Sequence, residues 1–340
     1  MQAYINGISY YLPKKILTNN ELSVLYPEWS INKISKKTGI ESRHISAENE
    51  YASDMAVSAL NNLINDYEID KSLIDYIIVC TQSPDYALPT TACIVQNVSK
   101  LPKTCGAVDI NLGCSGYIYG LGLAKGLVVT GQAKKVILIT SETYSKLLHP
   151  KDKSNRTIFG DASSATLITS EPNYKYPTAL IENFSYGSDG SGYEHLIVKN
   201  SGIKHTKIKS KDVLDDENKF VCNDDYLFMN GSKIFNFTAF EVPKLVKKTL
   251  KENGLNENDL SKVVFHQANA YMLDFIRKRC GIKKEIFYIS LKDIGNTVSS
   301  TIPIAYARMI TETKLQKDDN ILLVGFGVGL SMGGVVLKYV

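Results

Sequence analysis

Ile69-Asp70-Lys71-Ser72-Leu73-Ile74, followed closely by the apolar run Ile77-Ile78-Val79, has a counterpart in Leu255-Asn256-Glu257-Asn258-Asp259-Leu260, followed by Val263-Val264-Phe265. The second copy lies 186 positions after the first (255 less 69). Another pair of runs, Val136-Ile137-Leu138-Ile139 and Ile321-Leu322-Leu323-Val324, is displaced by 185 positions, and each opens a turn containing glycine, serine or threonine. The apolar helical pattern from Cys114 through Leu127 matches, at the same shift, the one from Ser299 through Ile310. Short continuous apolar runs mark strands buried on both faces. Their alternation with helical patterns marks an α/β architecture with helices covering the sheets on each side. The shared offset marks an internal duplication, with halves 1–170 and 171–340 whose equivalent loops converge on one cleft.

Composition narrows the classes of function. A chain of 340 residues that is 44% hydrophobic and 22% charged has the make-up of a globular protein with a large core. No stretch reaches the roughly 18 apolar residues of a membrane span, and Met1 to Tyr10 lacks the pattern of a secretion signal, so a cytoplasmic setting is expected. The net charge of +4 is mild and its basic residues are scattered, which does not point to nucleic acid. The densest basic segment, Lys199 to Lys211, reads as a solvated loop. Six cysteines without a paired spacing, and no histidine at ligand spacing, argue against disulfides and metal.

The chemistry gathers at three loops. Val108-Asp109-Ile110-Asn111-Leu112-Gly113-Cys114-Ser115-Gly116-Tyr117 reads as a strand, a tight turn and a helix starting near Cys114. Peptide N–H groups and the helix dipole favour a thiolate there, so a lowered pKa is expected, with donors ready for an oxyanion. Taken alone, Cys114 reads equally well as a small buried residue, the reading preferred for Cys80, Cys93, Cys105 and Cys280. His266, in Val264-Phe265-His266-Gln267-Ala268-Asn269, follows a buried strand, where α/β folds present functional groups. Asn296, in Ile294-Gly295-Asn296-Thr297, lies in a turn before a helix, where an N-cap is the competing role.

Together, Gly113 to Tyr117, His266 to Asn269, Gly295 to Thr297 and the final Gly325-Phe326-Gly327-Val328-Gly329 resemble the motifs of the β-ketoacyl-(acyl carrier protein) synthase III family of the thiolase superfamily. So do Lys37-Thr38-Gly39-Ile40, Arg43-His44-Ile45 and Phe159-Gly160-Asp161-Ala162. The resemblance runs in order from about Tyr4 to Tyr339. It implies a five-layered α-β-α-β-α fold of two thiolase-like halves, the first with the nucleophilic cysteine and the second with the histidine and asparagine. It also implies a decarboxylative Claisen condensation: Cys114 carries an acyl group taken from a thioester, and N–H donors of His266 and Asn296 stabilise the enolate formed as a malonyl-carrier thioester loses carbon dioxide.

By the same resemblance, Trp29, Leu88, Gly231, Asn269, Phe326 and Val328 contact substrate, with Leu88 reaching the partner's acyl pocket in a homodimer. Gln267, Arg277, Lys278 and Arg279 dock an acyl carrier protein. Substrates would be coenzyme A or phosphopantetheine thioesters, and no metal or other cofactor is implied. Two departures stand out. Trp29 lies a helical turn before the family's adenine-gripping position, where Lys33 and Lys37 stand instead, and Tyr271 replaces a basic residue. They suggest a specialised synthase, with transfer to another carbon, oxygen or nitrogen nucleophile as the alternative and a non-catalytic partner subunit as a further one.

Overall fold

A computed structural model describes residues 1–205 and 207–340. Among them, ten strands join in one hydrogen-bonded sheet. In chain order these are β1 (Tyr4–Tyr11), β2 (Tyr76–Cys80), β3 (Gly106–Ile110), β4 (Lys135–Glu142), β5 (Ala162–Thr169), β6 (Ala179–Ser188), β7 (Leu260–Phe265), β8 (Phe287–Tyr288), β9 (Asn320–Gly327) and β10 (Ser331–Tyr339). Across the sheet they run β8-β7-β9-β10-β6-β1-β5-β4-β2-β3. The order is a palindrome in the duplicated elements. β3-β2-β4-β5-β1 and β8-β7-β9-β10-β6 share one sequence of parallel and antiparallel pairings, and β1 meets β6 where Ile5 pairs with Ala179.

All four apolar runs fall on the central strands. Ile77, Ile78 and Val79 of β2 lie beside Ile137, Leu138 and Ile139 of β4, while Val263, Val264 and Phe265 of β7 lie beside Leu322, Leu323 and Val324 of β9. The two sequence copies preceding them, at Asp70 and Asn256, both cap short 3-10 turns.

The helices make the layers. α1 (Ile31–Thr38), α2 (Ala52–Asp66), α3 (Thr91–Val98), α4 (Gly116–Val129), α5 (Gly231–Glu252), α6 (Ala270–Arg279) and α7 (Thr301–Glu312) are the ones that matter here. α4 packs on β2 and β4 from one side and on β9 and β10 from the other, and α7 likewise touches β1, β5, β7 and β9. A helix covered on both sides has no polar face to offer water. Accordingly α4 carries one charge, Lys125, and α7 buries every residue from Thr301 to Ala307. α2 and α3 close the outside of the first half, and α5 and α6 that of the second. α5 puts Lys233, Lys244, Lys247, Lys248 and Lys251 on its outer face. The result is the α-β-α-β-α arrangement expected. The basic segment from Lys199 to Lys211 is an exposed stretch, with Thr206 outside the described residues.

A second motif residue has a structural task. Arg43 is fully buried, and its guanidinium donates to the Leu17 carbonyl (3.1 Å), Asn19 Oδ1 (2.9 Å) and the Thr157 carbonyl (3.0 Å). Burial without a carboxylate partner pulls it down to about 10. Arg43→Ala strands three acceptors and leaves a void beside the loops that carry Gly160 and Gly295, so a loss of about 3 kcal/mol or more is expected from the denaturant midpoint.

Candidate active site

The three sequence-predicted residues meet at the inner end of one cavity of about 330 Å³. Its walls are mostly apolar: Ile158, Phe159, Leu196, Met229, Ile234 and Met272. Trp29, Lys37 and the exposed Tyr271 stand at its outer part. Cys114, His266, Asn296, Phe326 and Gly327 line the buried end.

Cys114 sits between β3 and α4, two residues before the helix begins, and is 5% exposed. Its surroundings leave little slack. A Cβ on Gly327 would come within 2.8 Å of the sulfur, so the end of β9 needs glycine to admit the thiol. Gly327→Ala is therefore expected to block modification of Cys114 by iodoacetamide while the fold, followed by circular dichroism, persists.

The expectation of a lowered cysteine pKa is corrected by this burial. Peptide N–H groups of Val328 and Cys114 itself do favour the thiolate, but desolvation outweighs them and pushes the thiol up to about 12, with nearby Glu142 adding in the same direction. At neutral pH the resting site thus holds a thiol that needs a base.

The neighbouring histidine has a defined geometry. His266 continues β7, its backbone N–H bonded to Val324, and its ring stands edge-on to Phe326, 5.6 Å between centroids. Nδ1 lies 2.7 Å from Thr301 Oγ1, and that hydroxyl donates to the Val298 carbonyl at 3.0 Å. Thr301 therefore accepts from Nδ1–H, which leaves Nε2 with its lone pair free. Burial pulls the imidazole down to about 3, and the Val298 carbonyl only partly offsets it, so the ring is neutral. The resting ring presents an acceptor at Nε2, where the sequence had suggested a donor. The other tautomer, with its proton on Nε2 and with Nδ1 accepting from a Thr301 hydroxyl turned away from Val298, would reverse those roles.

Asn296 supplies a fixed donor. Its Oδ1 accepts from the Val298 N–H at 2.9 Å, so Nδ2 faces His266 Nε2, 3.5 Å away. The loop around it is tied on both sides: Asn296 N–H bonds Ile158, and Gly160 N–H bonds the Asn296 carbonyl. Gly295 adopts φ +72°, with a would-be Cβ 2.8 Å from the Ile158 carbonyl. Val298, a β-branched residue, is held at φ 56°, the kind of backbone strain that persists where the surroundings over-determine it. The amide thus both closes its own turn and points a donor into the cavity.

The other sequence-predicted positions divide. Gly231 and Asn269 line the cavity, although Asn269 also caps α6 by accepting from Met272 N–H at 2.9 Å. Val328 contributes its N–H at the thiol. Trp29 lines the cavity despite its earlier place in sequence, with Lys37 4.8 Å from its ring centre and Lys33 and Lys153 at 5.9 Å. Leu88 is 82% exposed on the outside, away from the cavity. Gln267 is fully buried, bonding Phe265 through Nε2 and accepting from Ser290 N–H, so it cannot meet a carrier protein. Arg277 is spent on Asp274 and the Ile282 carbonyl; Lys278 is exposed but also pairs with Asp274 at 2.7 Å, and Arg279 is exposed.

The sequence reading missed Thr301 as the partner of His266 and passed over Glu142 altogether. Glu142 is fully buried at the end of β4, where burial raises its carboxyl to about 8. The repeat offset was the available signal, since it sets Glu142 opposite Gly327.

A thiol with two N–H groups aimed at it, beside a neutral histidine and an oriented amide at the end of an apolar tunnel, is equipped for acyl transfer and for stabilising an enolate. Known proteins agree in kind. The family model described as 3-oxoacyl-[acyl-carrier-protein] synthase III matches residues 108–190, and that of its C-terminal part matches residues 250–339. A protein of Clostridium perfringens named beta-ketoacyl-[acyl-carrier-protein] synthase III is 37% identical, with 99% of each chain covered. One from Staphylococcus epidermidis, named beta-ketoacyl-[acyl-carrier-protein] synthase III 2, is 35% identical over 99% of this chain and 98% of its own. A crystal structure of a 3-oxoacyl-(acyl-carrier-protein) synthase III superposes with a TM-score of 0.94 at 41% identity, covering 99% of this chain and 100% of the other. With the site's geometry, the duplicated five-layered fold and full-length likeness all in agreement, the chain belongs to the 3-oxoacyl-[acyl-carrier-protein] synthase III family.

Proposed function

We propose that this chain condenses an acyl thioester with a malonyl-acyl carrier protein, releasing carbon dioxide and forming a β-ketoacyl-acyl carrier protein by way of acyl-Cys114. The observation that carries the reading is the convergence of Cys114, His266 and Asn296 on the buried end of one tunnel-like cavity. In the first step His266 Nε2 takes the thiol proton, the sulfur attacks the thioester carbonyl, and the departing thiolate leaves with that proton. The peptide N–H groups of Cys114 and Val328 suit the oxyanion of this step.

In the second step the malonyl thioester oxygen lies against Asn296 Nδ2 and His266 in its other tautomer: Nδ1 gives up its proton and Nε2 takes one by exchange through solvent, so that Nε2 donates and Nδ1 accepts from a Thr301 hydroxyl turned away from Val298. The C–C bond to the carboxylate breaks, carbon dioxide leaves, and the enolate carbon attacks acyl-Cys114. The sulfur departs and regains a proton from solvent. Phe326 and the apolar walls exclude water that would otherwise hydrolyse the acyl-enzyme.

Trp29 with Lys33, Lys37 and Lys153 suits a nucleotide or phosphopantetheine arm at the outer cavity. Lys278 and Arg279, on the helix that begins beside Tyr271, suit an acidic carrier protein. The exposure of Leu88 suits insertion into a second copy in a homodimer. A division into halves 1–170 and 171–340 fits the gap between β5 and β6. A cytoplasmic setting and the absence of any other cofactor are part of the same proposal; among the described residues no helix is long and apolar enough to cross a membrane.

Intact-protein mass spectrometry tests the reading. Incubation with a panel of acyl-coenzyme A and acyl-carrier thioesters should yield an adduct on Cys114, and malonyl-carrier protein should convert it to a β-ketoacyl product. An adduct that persists would mean a different acceptor, and no adduct from any donor would overturn the reading.

A further inference from the structure

The offset that relates the two halves also relates their strand ends, and there the halves differ. The counterpart of Cys114 is Ser299, and the counterpart of Gly327 is Glu142, each 185 positions apart. At the end of β9, glycine leaves the space that the thiol occupies. At the end of β4, the corresponding place holds a carboxyl group, and it meets the cysteine's counterpart directly. Glu142 Oε1 accepts from Ser299 Oγ at 2.7 Å, while Oε2 accepts from the Gln82 N–H at 3.1 Å and from Ser83 Oγ at 3.2 Å.

Glu142 is fully buried, and among the described residues no cation pairs with it. Burying such a group is costly, and hydrogen bonds only partly offset it. Its location suggests what the arrangement secures. Ser299 directly follows Val298, the residue held at φ 56°. The Val298 N–H orients the Asn296 amide, and the Val298 carbonyl holds the Thr301 hydroxyl that sets the His266 ring. A strained turn needs an anchor on its far side, and the Ser299–Glu142 bond is one.

We propose that Glu142 is a positioning residue for the carbon dioxide-releasing step: by holding Ser299 it pins the Val298 turn that aims Asn296 and His266, without touching substrate itself. The inference rests on the function proposed above. Acylation of Cys114 uses the N–H groups of Cys114 and Val328 for its oxyanion and His266 only to take the thiol proton, without Asn296, so it depends on one of the two aimed groups where carbon dioxide release depends on both. The two steps should therefore respond differently to loss of the anchor.

The experiment compares wild type with Glu142→Ala, Glu142→Gln and Ser299→Ala, measuring acyl transfer to Cys114 by intact mass and carbon dioxide release from malonyl-carrier protein separately. Glu142→Ala is expected to slow carbon dioxide release by about 10²-fold, the lower end of what loss of one oxyanion donor costs. Acylation should change by less than about 5-fold, the equivalent of 1 kcal/mol. Glu142→Gln keeps an oxygen for Ser299 at the same volume but turns an NH2 toward the Gln82 N–H, so it should recover part of the loss. Ser299→Ala should slow the same step and stands in if Glu142→Ala does not fold.

Equal loss in both steps, no loss in either, or a glutamine variant no better than alanine would overturn the assignment. A wild type that releases no carbon dioxide from a malonyl thioester would instead count against the proposed function itself, so the two failures are separable.

Discussion

No acyl adduct forms on Cys114→Ala whichever thioester is offered, and β-ketoacyl product falls by roughly 10⁴-fold or more, the scale on which removal of an attacking nucleophile registers. The reason is positional as well as chemical. None of the other five cysteines lines the cavity; Cys80, for example, is buried with its thiol bonded to the Leu112 carbonyl. Carbon dioxide release should survive the substitution, because Asn296 and His266 are set by Val298 and Thr301 and not by the sulfur. Loss of condensation with retention of decarboxylation, read by product analysis and carbon dioxide capture, is the expected pattern; an unchanged product yield would exclude Cys114 as the acyl carrier.

The second expected result is its mirror image. Asn296→Ala leaves acylation in place but slows carbon dioxide release by about 10²- to 10³-fold, the range for a single oxyanion donor. Asn296 is well suited to show this effect cleanly. Its oxygen is committed to Val298 N–H, so only Nδ2 is available to the thioester oxygen, and an aspartate there would present a second acceptor to a developing negative charge. Asn296→Asp should accordingly be at least as slow as Asn296→Ala. Measured carbon dioxide release equal to wild type in either variant would remove Asn296 from the reaction.

The sequence disclosed most of the fold because its central strands are covered on both faces. Ile77 to Val79 and Val263 to Phe265 have no solvent side to supply polar residues, so they stand out as unbroken apolar runs, and their common offset revealed the duplication. The three candidate residues that line one cavity could be singled out because each sits in a loop with its own signature. What escaped depends on contacts between residues far apart in the chain. Gln267 looks like a surface amide beside a motif, and only the folded chain shows it wedged between Phe265 and Ser290. The thiol pKa turned on the same point: the helix start at Cys114 was visible, but the desolvation that overrides it comes from β9, over 200 residues later. Glu142 belongs to no motif and was marked only by the repeat offset, and its bond to Ser299 is seen only once the chain is folded.

The middle layer has a consequence for how the chain reaches this state. α4 is made early in synthesis, yet part of its apolar surface is covered by β9 and β10, which begin at Asn320 and Ser331. Until those strands emerge, Ile118 and Leu121 have only one of their two walls, and β6 lacks the strand that should pair with it. Contacts this distant in sequence form slowly, and the waiting intermediate exposes both a sticky helix and an open strand edge. A nascent chain of this protein must therefore be kept from its neighbours for nearly the whole time of its synthesis, and chaperone demand should rise with the length of any pause before residue 331.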